Sequence, residues 1–204
     1  MTKKVLVATF NDKKRRELKI LLQEIKGLEV LDLNDLDMTA PIIVEDGKTF
    51  RQNAVKKALT MSRFFDGLVV ADDSGLEVDA LDGRPGVRSA RFARKEATDS
   101  ENNEKLLKLL DKVPENKRRA KFVCHVALAA KGILLESFEG EIKGQIVLEP
   151  KGKNGFGYDP LFVPKGEKTT FADMPAADKN RISHRAMAMR KLKRSIRKHL
   201  KKKG

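Results

Sequence analysis

The first 33 residues place the tightest constraint on the fold. Val5-Leu6-Val7-Ala8 is an unbroken apolar run, the pattern of a strand buried on both faces. Leu18, Leu21, Leu22 and Ile25 then fall at i, i+3, i+4 and i+7, which puts four apolar side chains on one side of a helix. Gly27 ends that helix, and Leu28 to Leu33 reads as a second strand. Strand, helix and strand at this spacing form a βα unit and direct the chain to an α/β fold.

The rest of the sequence extends the pattern. Thr49-Phe50-Arg51-Gln52 has the form of a capping box and opens a helix to about Phe65, with Phe50, Ala54, Ala58 and Met61 on one side. Gly67 breaks it, and a strand from Leu68 to Ala71 delivers Asp72 and Asp73 at its carboxyl end. Residues 98–112 form another helix, whose apolar side is Leu106, Leu107, Leu109 and Leu110. Ala120 to Ala130 and Ile133 to Leu148 are strand-like runs joined at Lys131-Gly132, an antiparallel pair by its turn chemistry. Residues 150–160 are too rich in Gly and Pro for a regular element, and loops of that kind commonly bind ligands. Ser183 is a good N-cap for a last helix that buries Ala186, Met189, Leu192, Ile196 and Leu200.

At 204 residues the chain is expected to form a single domain, 1–204. No apolar run approaches the ~18–20 residues of a membrane span, and residues 1–5 lack a signal-peptide core. One cysteine, Cys124, excludes an internal disulfide. The expectation is a soluble cytoplasmic protein without a membrane partner. The net charge of +14 is concentrated: residues 181–204 hold eleven Lys or Arg and no acid, leaving +3 for the other 180 residues. A basic segment attracts polyanions. With one Tyr, no Trp and no stacking motif, however, a dedicated nucleic-acid function lacks support in the composition, and a solvated helix end with a Lys201-Lys202-Lys203 tail explains the charge.

Four clusters carry chemistry. Asp72 and Asp73 precede Ser74-Gly75; on a continuous strand they would face opposite sides, but at a strand's end both can face a cleft and hold Mg²⁺, which takes one or two carboxylates plus phosphate oxygens. An Asp-Asp turn capping backbone amides uses the same residues. Thr9, Asn11 and Lys14 sit where the first strand meets the first helix, an anion site by helix amides and a lysine, though a plain N-cap by Asn11 or Asp12 explains the same residues and, for this cluster alone, is the stronger account. Gly155-Phe156-Gly157-Tyr158-Asp159-Pro160 sets two aromatics and an acid among glycines, able either to hold a planar base or to plug the core. Lys179, His184 and Arg185 bracket the start of the last helix, where cations hold polyphosphate. The arginines of Arg84-Pro85-Gly86-Val87-Arg88-Ser89-Ala90-Arg91 offer further cations for anionic oxygens.

With all of these in order, the chain resembles the inosine triphosphate pyrophosphatases, also called dITP/XTP pyrophosphatases. The matching stretches are Ala8-Thr9-x-Asn11 with Lys14, Gly47-x-Thr49-Phe50, Ala71-Asp72-Asp73-Ser74-Gly75-Leu76, Gly83-x-Pro85-Gly86, Ser89-Ala90-Arg91, Gly155 to Pro160 and Ser183-His184-Arg185. The resemblance implies a mixed central sheet with helices, two lobes around a nucleotide-binding cleft, and a homodimer. It also implies Mg²⁺-dependent cleavage of ITP, dITP or XTP to the monophosphate and pyrophosphate. Asp73 would then be the proton acceptor and a metal ligand. Thr9, Asn11, Lys14 and Ser74 would hold phosphates, and Phe156, Gly157, Tyr158 and Asp159 the base and sugar. Lys179, His184 and Arg185 would meet the base edge or an adjacent phosphate. Two positions depart from the family pattern: Phe10 stands where a small residue or His is usual, and Gln52 where Glu is usual. Because Gln52 supplies no charge, Glu45 is the expected second metal carboxylate, with Asp72 in reserve. The alternatives are a related pyrophosphatase acting on other modified nucleotides and a basic nucleic-acid-binding protein.

Overall fold

In a computed structural model, residues 3–37 and 39–201 are described. Lys202 and Lys203 of the basic tail lie outside them. The elements run β1 (Lys3–Val7), α1 (Asp12–Gln23), β2 (Leu28–Asp32), α2 (Phe50–Met61), β3 (Leu68–Val78), α3 (Asp99–Leu110), β4 (Arg119–Ala130), β5 (Ile133–Ile146), β6 (Phe162–Pro164), α4 (Ala176–Ile182) and α5 (His184–Lys201), with short 3₁₀ turns between them. One mixed sheet has the strand order β2-β1-β3-β4-β5-β6. β1 pairs parallel with both β2 and β3, as the opening βα unit requires, whereas β5 and β6 are antiparallel. The fold class is thus the α/β class expected from the sequence.

The described residues divide into two compact units: residues 3–37, 39–73, 124–140 and 185–201, and residues 74–123 and 141–184. β3, β4 and β5 contribute residues to both. In the first unit the sheet is covered on both faces. Val5, Val7 and Val70 meet α1 through Leu18 and Leu22, and α5 through Met189, Leu192 and Ile196. The alternate residues Leu6, Ala8, Val69 and Ala71 meet α2 through Ala54, Ala58 and Met61. The unbroken apolar run of β1 follows from that double cover, since period-2 side chains all find a core. The β4–β5 hairpin turns at Lys131 and Gly132, both at positive φ, the geometry of a tight two-residue turn.

The second unit has its own core. Leu76 and Val78, Leu106 and Leu110 of α3, Phe122, Ile146, Phe162 and Phe171 pack with Tyr158 and Met174. Arg118 is buried beside them, its guanidinium donating to the carbonyls of Leu110 and Val113 and so closing the C-terminal end of α3.

Two expectations change. β3 does not end at Ala71; it continues in extended form through Asp72-Asp73-Ser74-Gly75 to Val78, because both flanks of the segment are buried and ladder pairing persists. The helix α4 was not expected: at seven residues it is too short for a periodic signal, and Ser183 ends it before α5 begins.

Candidate active site

In the first unit, the end of β1 and the start of α1 place Thr9, Asn11 and Lys14. Asn11 is the N-cap of α1, its Oδ1 accepting from the Lys14 amide at 3.0 Å. Thr9 is buried and its Oγ1 accepts from the Asn11 amide at 3.4 Å. Lys14 points its ammonium at the strand beside it: Nζ is 3.8 Å from Asp72 Oδ2 and 3.9 Å from Asp73 Oδ1. The first of the four sequence clusters is therefore joined to the second.

Both aspartates are buried, in different surroundings. Asp72 also meets Arg185, whose Nε is 3.4 Å from Oδ2 and whose other guanidinium arm reaches Glu17. Burial pushes the Asp72 carboxyl up, but Lys14, Arg185 and Lys57 outweigh it and hold it below the usual carboxylate range. For Asp73 burial wins: its carboxyl is raised despite Lys14, Lys57 and a hydrogen bond from Asn53, and the negative charge of Glu45 adds to the rise. Two adjacent carboxyls pushed apart in this way are suited to different tasks, one fixed as an anion and one able to take a proton.

Helix α2 contributes two residues that the sequence reading did not single out. Asn53 donates from Nδ2 to Asp73 Oδ2 at 2.9 Å. Lys57, one turn later and almost fully buried, places Nζ 3.0 Å from Glu45 Oε1. Their signal was available: Asn53 and Lys57 fall on the same stripe as Phe50, Ala54, Ala58 and Met61, where a buried helix face carries two polar residues at i, i+4. Gln52 has another task. Its Oε1 accepts from the Lys48 and Thr49 amides and completes the capping box.

The donor set fits Mg²⁺ modestly. Among the described residues no group of three or more His, Cys, Asp or Glu is arranged for a metal. Glu45 and Asp73 are nevertheless close enough for one charge to raise the other, a repulsion that a divalent cation would relieve, and Mg²⁺ commonly takes two carboxylates with phosphate oxygens and water. Asp72 is already engaged by Lys14 and Arg185. Cys124 is fully buried behind these groups, and burial pushes its thiol up to about 12, so it is inert.

In the second unit, the loop after β5 is held from within. The Phe156 amide donates to Asp159 Oδ2 at 2.7 Å, and the Gly157 amide donates to Asp99 Oδ2 at 2.9 Å. Gly155 and Gly157 have positive φ, and a Cβ at Gly155 would strike the Asp159 carboxylate. Lys179 of α4 reaches Asp159 Oδ2 at 2.6 Å, both side chains being buried, and its Nζ stands 4.7 Å from the Phe156 ring centroid. Tyr158 turns into the core, its hydroxyl donating to the Ser89 carbonyl at 2.9 Å. Ser89, from the arginine-rich turn, in turn accepts from the Leu76 amide through Oγ. His184 lies flat on Phe122, ring centroids 4.8 Å apart and planes 8° from parallel. Ser74 is half-buried on β3.

Lys179 therefore joins the Phe156–Asp159 loop, His184 stacks on Phe122 in the same unit, and Arg185 joins Asp72 in the other unit. The three cations expected together at the start of α5 are divided among different partners. A half-exposed aromatic braced by a cation can stack a planar ring, and the lysine-flanked carboxylates can serve phosphate hydrolysis.

Residues 5–195 match the model of the Ham1 family. A dITP/XTP pyrophosphatase of Bacillus licheniformis is 47% identical over 93% of this chain and 96% of its own length. That of Bacillus subtilis is 41% identical over 95% and 97%. The structure of the Staphylococcus aureus Ham1 protein superposes with a TM-score of 0.82 at 34% identity, over 97% of this chain and all of that one. A HAM1 protein from Coxiella burnetii gives 0.85 at 35% identity, over 96% and 99%. On motifs, sequence and fold together, the chain belongs to the Ham1 family.

Proposed function

We propose that this protein hydrolyses non-standard purine nucleoside triphosphates (ITP, dITP and XTP) to the monophosphate and pyrophosphate. The observation that carries the reading is the opposed tuning of Asp72 and Asp73 around Lys14, in a chain that aligns nearly end to end with dITP/XTP pyrophosphatases. Asp73 takes a proton from water, whose oxygen bonds to the α phosphorus as the bond to the bridging oxygen breaks and pyrophosphate leaves. A carboxyl raised by burial is better matched to that transfer than an ordinary aspartate. Lys14, Thr9, Asn11 and Ser74 bind phosphate oxygens, and the fixed anion of Asp72 keeps Lys14 and Arg185 in place. Glu45 and Asp73 would hold Mg²⁺, which when bound neutralises charge on the phosphates.

For the base, Phe156 offers a ring to stack on, with Lys179 and Asp159 fixing its position. Selection for a 6-oxo purine requires polar groups at that edge, because a ligand presenting a donor in place of an acceptor leaves groups unpaired. His184 and Lys179 are the candidates. We extend the reading to a homodimer, as the family resemblance implies, acting in the cytoplasm, as the composition leads us to expect; sedimentation of the purified protein checks the first point.

Steady-state rates for ITP, XTP, dITP, GTP and ATP with Mg²⁺, with products identified, test the proposal. Preference for the first three with pyrophosphate released supports it. Release of inorganic phosphate, or equal turnover of ATP, overturns it. A panel of modified pyrimidine triphosphates separates the related pyrophosphatase reading, and salt-sensitive nucleic-acid affinity without turnover would favour the binding-protein reading.

A further inference from the structure

Asn53 is a fully buried polar side chain in the middle of an apolar helix face, and both ends of its amide are used. Oδ1 accepts from the Gly47 amide at 2.8 Å, and Nδ2 donates to Asp73 Oδ2 at 2.9 Å. The first bond fixes which end of the amide is the acceptor and therefore aims the donor at the carboxylate. Gly47 has no room for anything larger: a Cβ there would sit 2.5 Å from Asn53 Oδ1 and 2.8 Å from the Gln52 Cβ. The segment that bears Glu45 and the strand that bears Asp73 are thus tied to one side chain.

We infer that Asn53 is a positioning residue, which sets the Asp73 carboxylate relative to the Glu45 segment so that the two can share a divalent cation. The inference rests on the pyrophosphatase reading for its catalytic consequence. Its physical logic is separate. Asp73 is buried with the Lys14 ammonium 3.9 Å from its Oδ1, and a carboxylate in that position swings toward the cation unless a neutral donor holds the other oxygen. Asn53 supplies that donor without adding charge. Lys57, one helical turn on, holds Glu45 by an ion pair, so α2 contacts both carboxylates from a single rigid stripe.

The test uses Asn53→Ala, Gly47→Ala and Gln52→Ala in the full chain. Gln52→Ala is the structural control: it weakens the capping box at the same helix end and has no bond to Asp73. Binding of Mn²⁺ to substrate-free protein is followed by the loss of free-ion paramagnetic resonance signal, alongside thermal melting and ITP kinetics. Asn53→Ala and Gly47→Ala are expected to weaken Mn²⁺ binding by roughly 10–100-fold, the usual effect of losing an outer-shell partner, and to lower kcat similarly with little change in KM. Gln52→Ala should melt earlier yet bind Mn²⁺ and turn over as the wild type does. If Asn53→Ala and Gly47→Ala merely melt earlier, with Mn²⁺ affinity and kcat retained, Asn53 is only a structural tie and the inference falls. A wild-type protein with no Mn²⁺ affinity overturns it as well. Because Mn²⁺ binding is read without substrate, weakened binding in a protein that does not hydrolyse ITP would remove the pyrophosphatase reading and leave the positioning role standing.

Discussion

Asp72 and Asp73 are consecutive on one buried strand and share Lys14, yet the carboxyl of Asp72 is held below its ordinary range and that of Asp73 is raised above it. The difference comes from partners. Asp72 has Arg185 as well as Lys14, whereas Asp73 has a neutral donor, Asn53, and feels Glu45.

For Asp73 the expected outcome is loss of a general base. Asp73→Asn should lower kcat by at least about 10²-fold while circular dichroism and thermal melting show a folded protein. In the wild type, activity requires the deprotonated form, so kcat/KM should fall as pH drops through a value above the ordinary ~3.9 of aspartate. Substantial turnover by Asp73→Asn would place the base elsewhere.

Asp72 should behave as a structural anion. Asp72→Asn leaves the buried Arg185 short of a partner and should cost about 3–5 kcal/mol in urea denaturation. Its pH signature has the opposite sign to that of a raised carboxyl. The native value is depressed, so its stabilisation is present above the ordinary carboxylate value and is lost as pH falls through the native one. Acid titration of stability below about pH 4 should therefore be shallower in Asp72→Asn than in the wild type.

Lys179 and Asp159 form a buried pair 2.6 Å apart, with the Phe156 amide on the same carboxylate oxygen. Asp159→Asn or Lys179→Met alone strands a buried charge and should destabilise by about 3–5 kcal/mol. The double variant Asp159→Asn/Lys179→Met should recover part of that loss without recovering KM for ITP. Additive destabilisation in the double-mutant cycle would show that the two side chains do not act as a pair.

Much of this was legible in the sequence, and the exceptions have physical causes. The periodicities at Leu18–Ile25 and in the last helix reported core-facing stripes that the structure fills, because each stripe meets a continuous apolar strand. The Thr49–Gln52 capping box and the Asn11 cap are local bonds within four residues, readable without knowledge of the fold. The course of β3 was not readable, because two adjacent acids look like a strand end unless the buried cations that neutralise them are known. Nor was the division of Lys179, His184 and Arg185 among different partners, which is set by contacts far away in sequence, such as Asp72 with Arg185. The α2 stripe marks Asn53 as buried, but its role was not readable: a buried amide has meaning only once Gly47 and Asp73 are placed on either side of it.

Tyr158 separates packing from recognition. Its hydroxyl donates to the Ser89 carbonyl inside the second unit's core. Tyr158→Phe should leave that carbonyl unsatisfied and cost about 1–3 kcal/mol, with KM for ITP unchanged. A raised KM with unaltered stability would instead put the hydroxyl on the substrate.

Glu45 yields two signals of different sign. Glu45→Gln removes one of the two carboxylates proposed for Mg²⁺, so the concentration needed for half-maximal activity should rise about tenfold or more. The same change removes the negative charge that helps to raise Asp73, so the Asp73 carboxyl should move down. In the Mg²⁺-free protein the Asp73 carboxyl of Glu45→Gln should therefore titrate at lower pH than that of the wild type, read by carboxyl-carbon NMR. A purely structural role, exerted through the Lys57–Glu45 ion pair, predicts neither effect: it would show as earlier melting with Mg²⁺ dependence and Asp73 titration unaltered. Measuring both the Mg²⁺ requirement and the metal-free Asp73 titration on one preparation decides between the two roles.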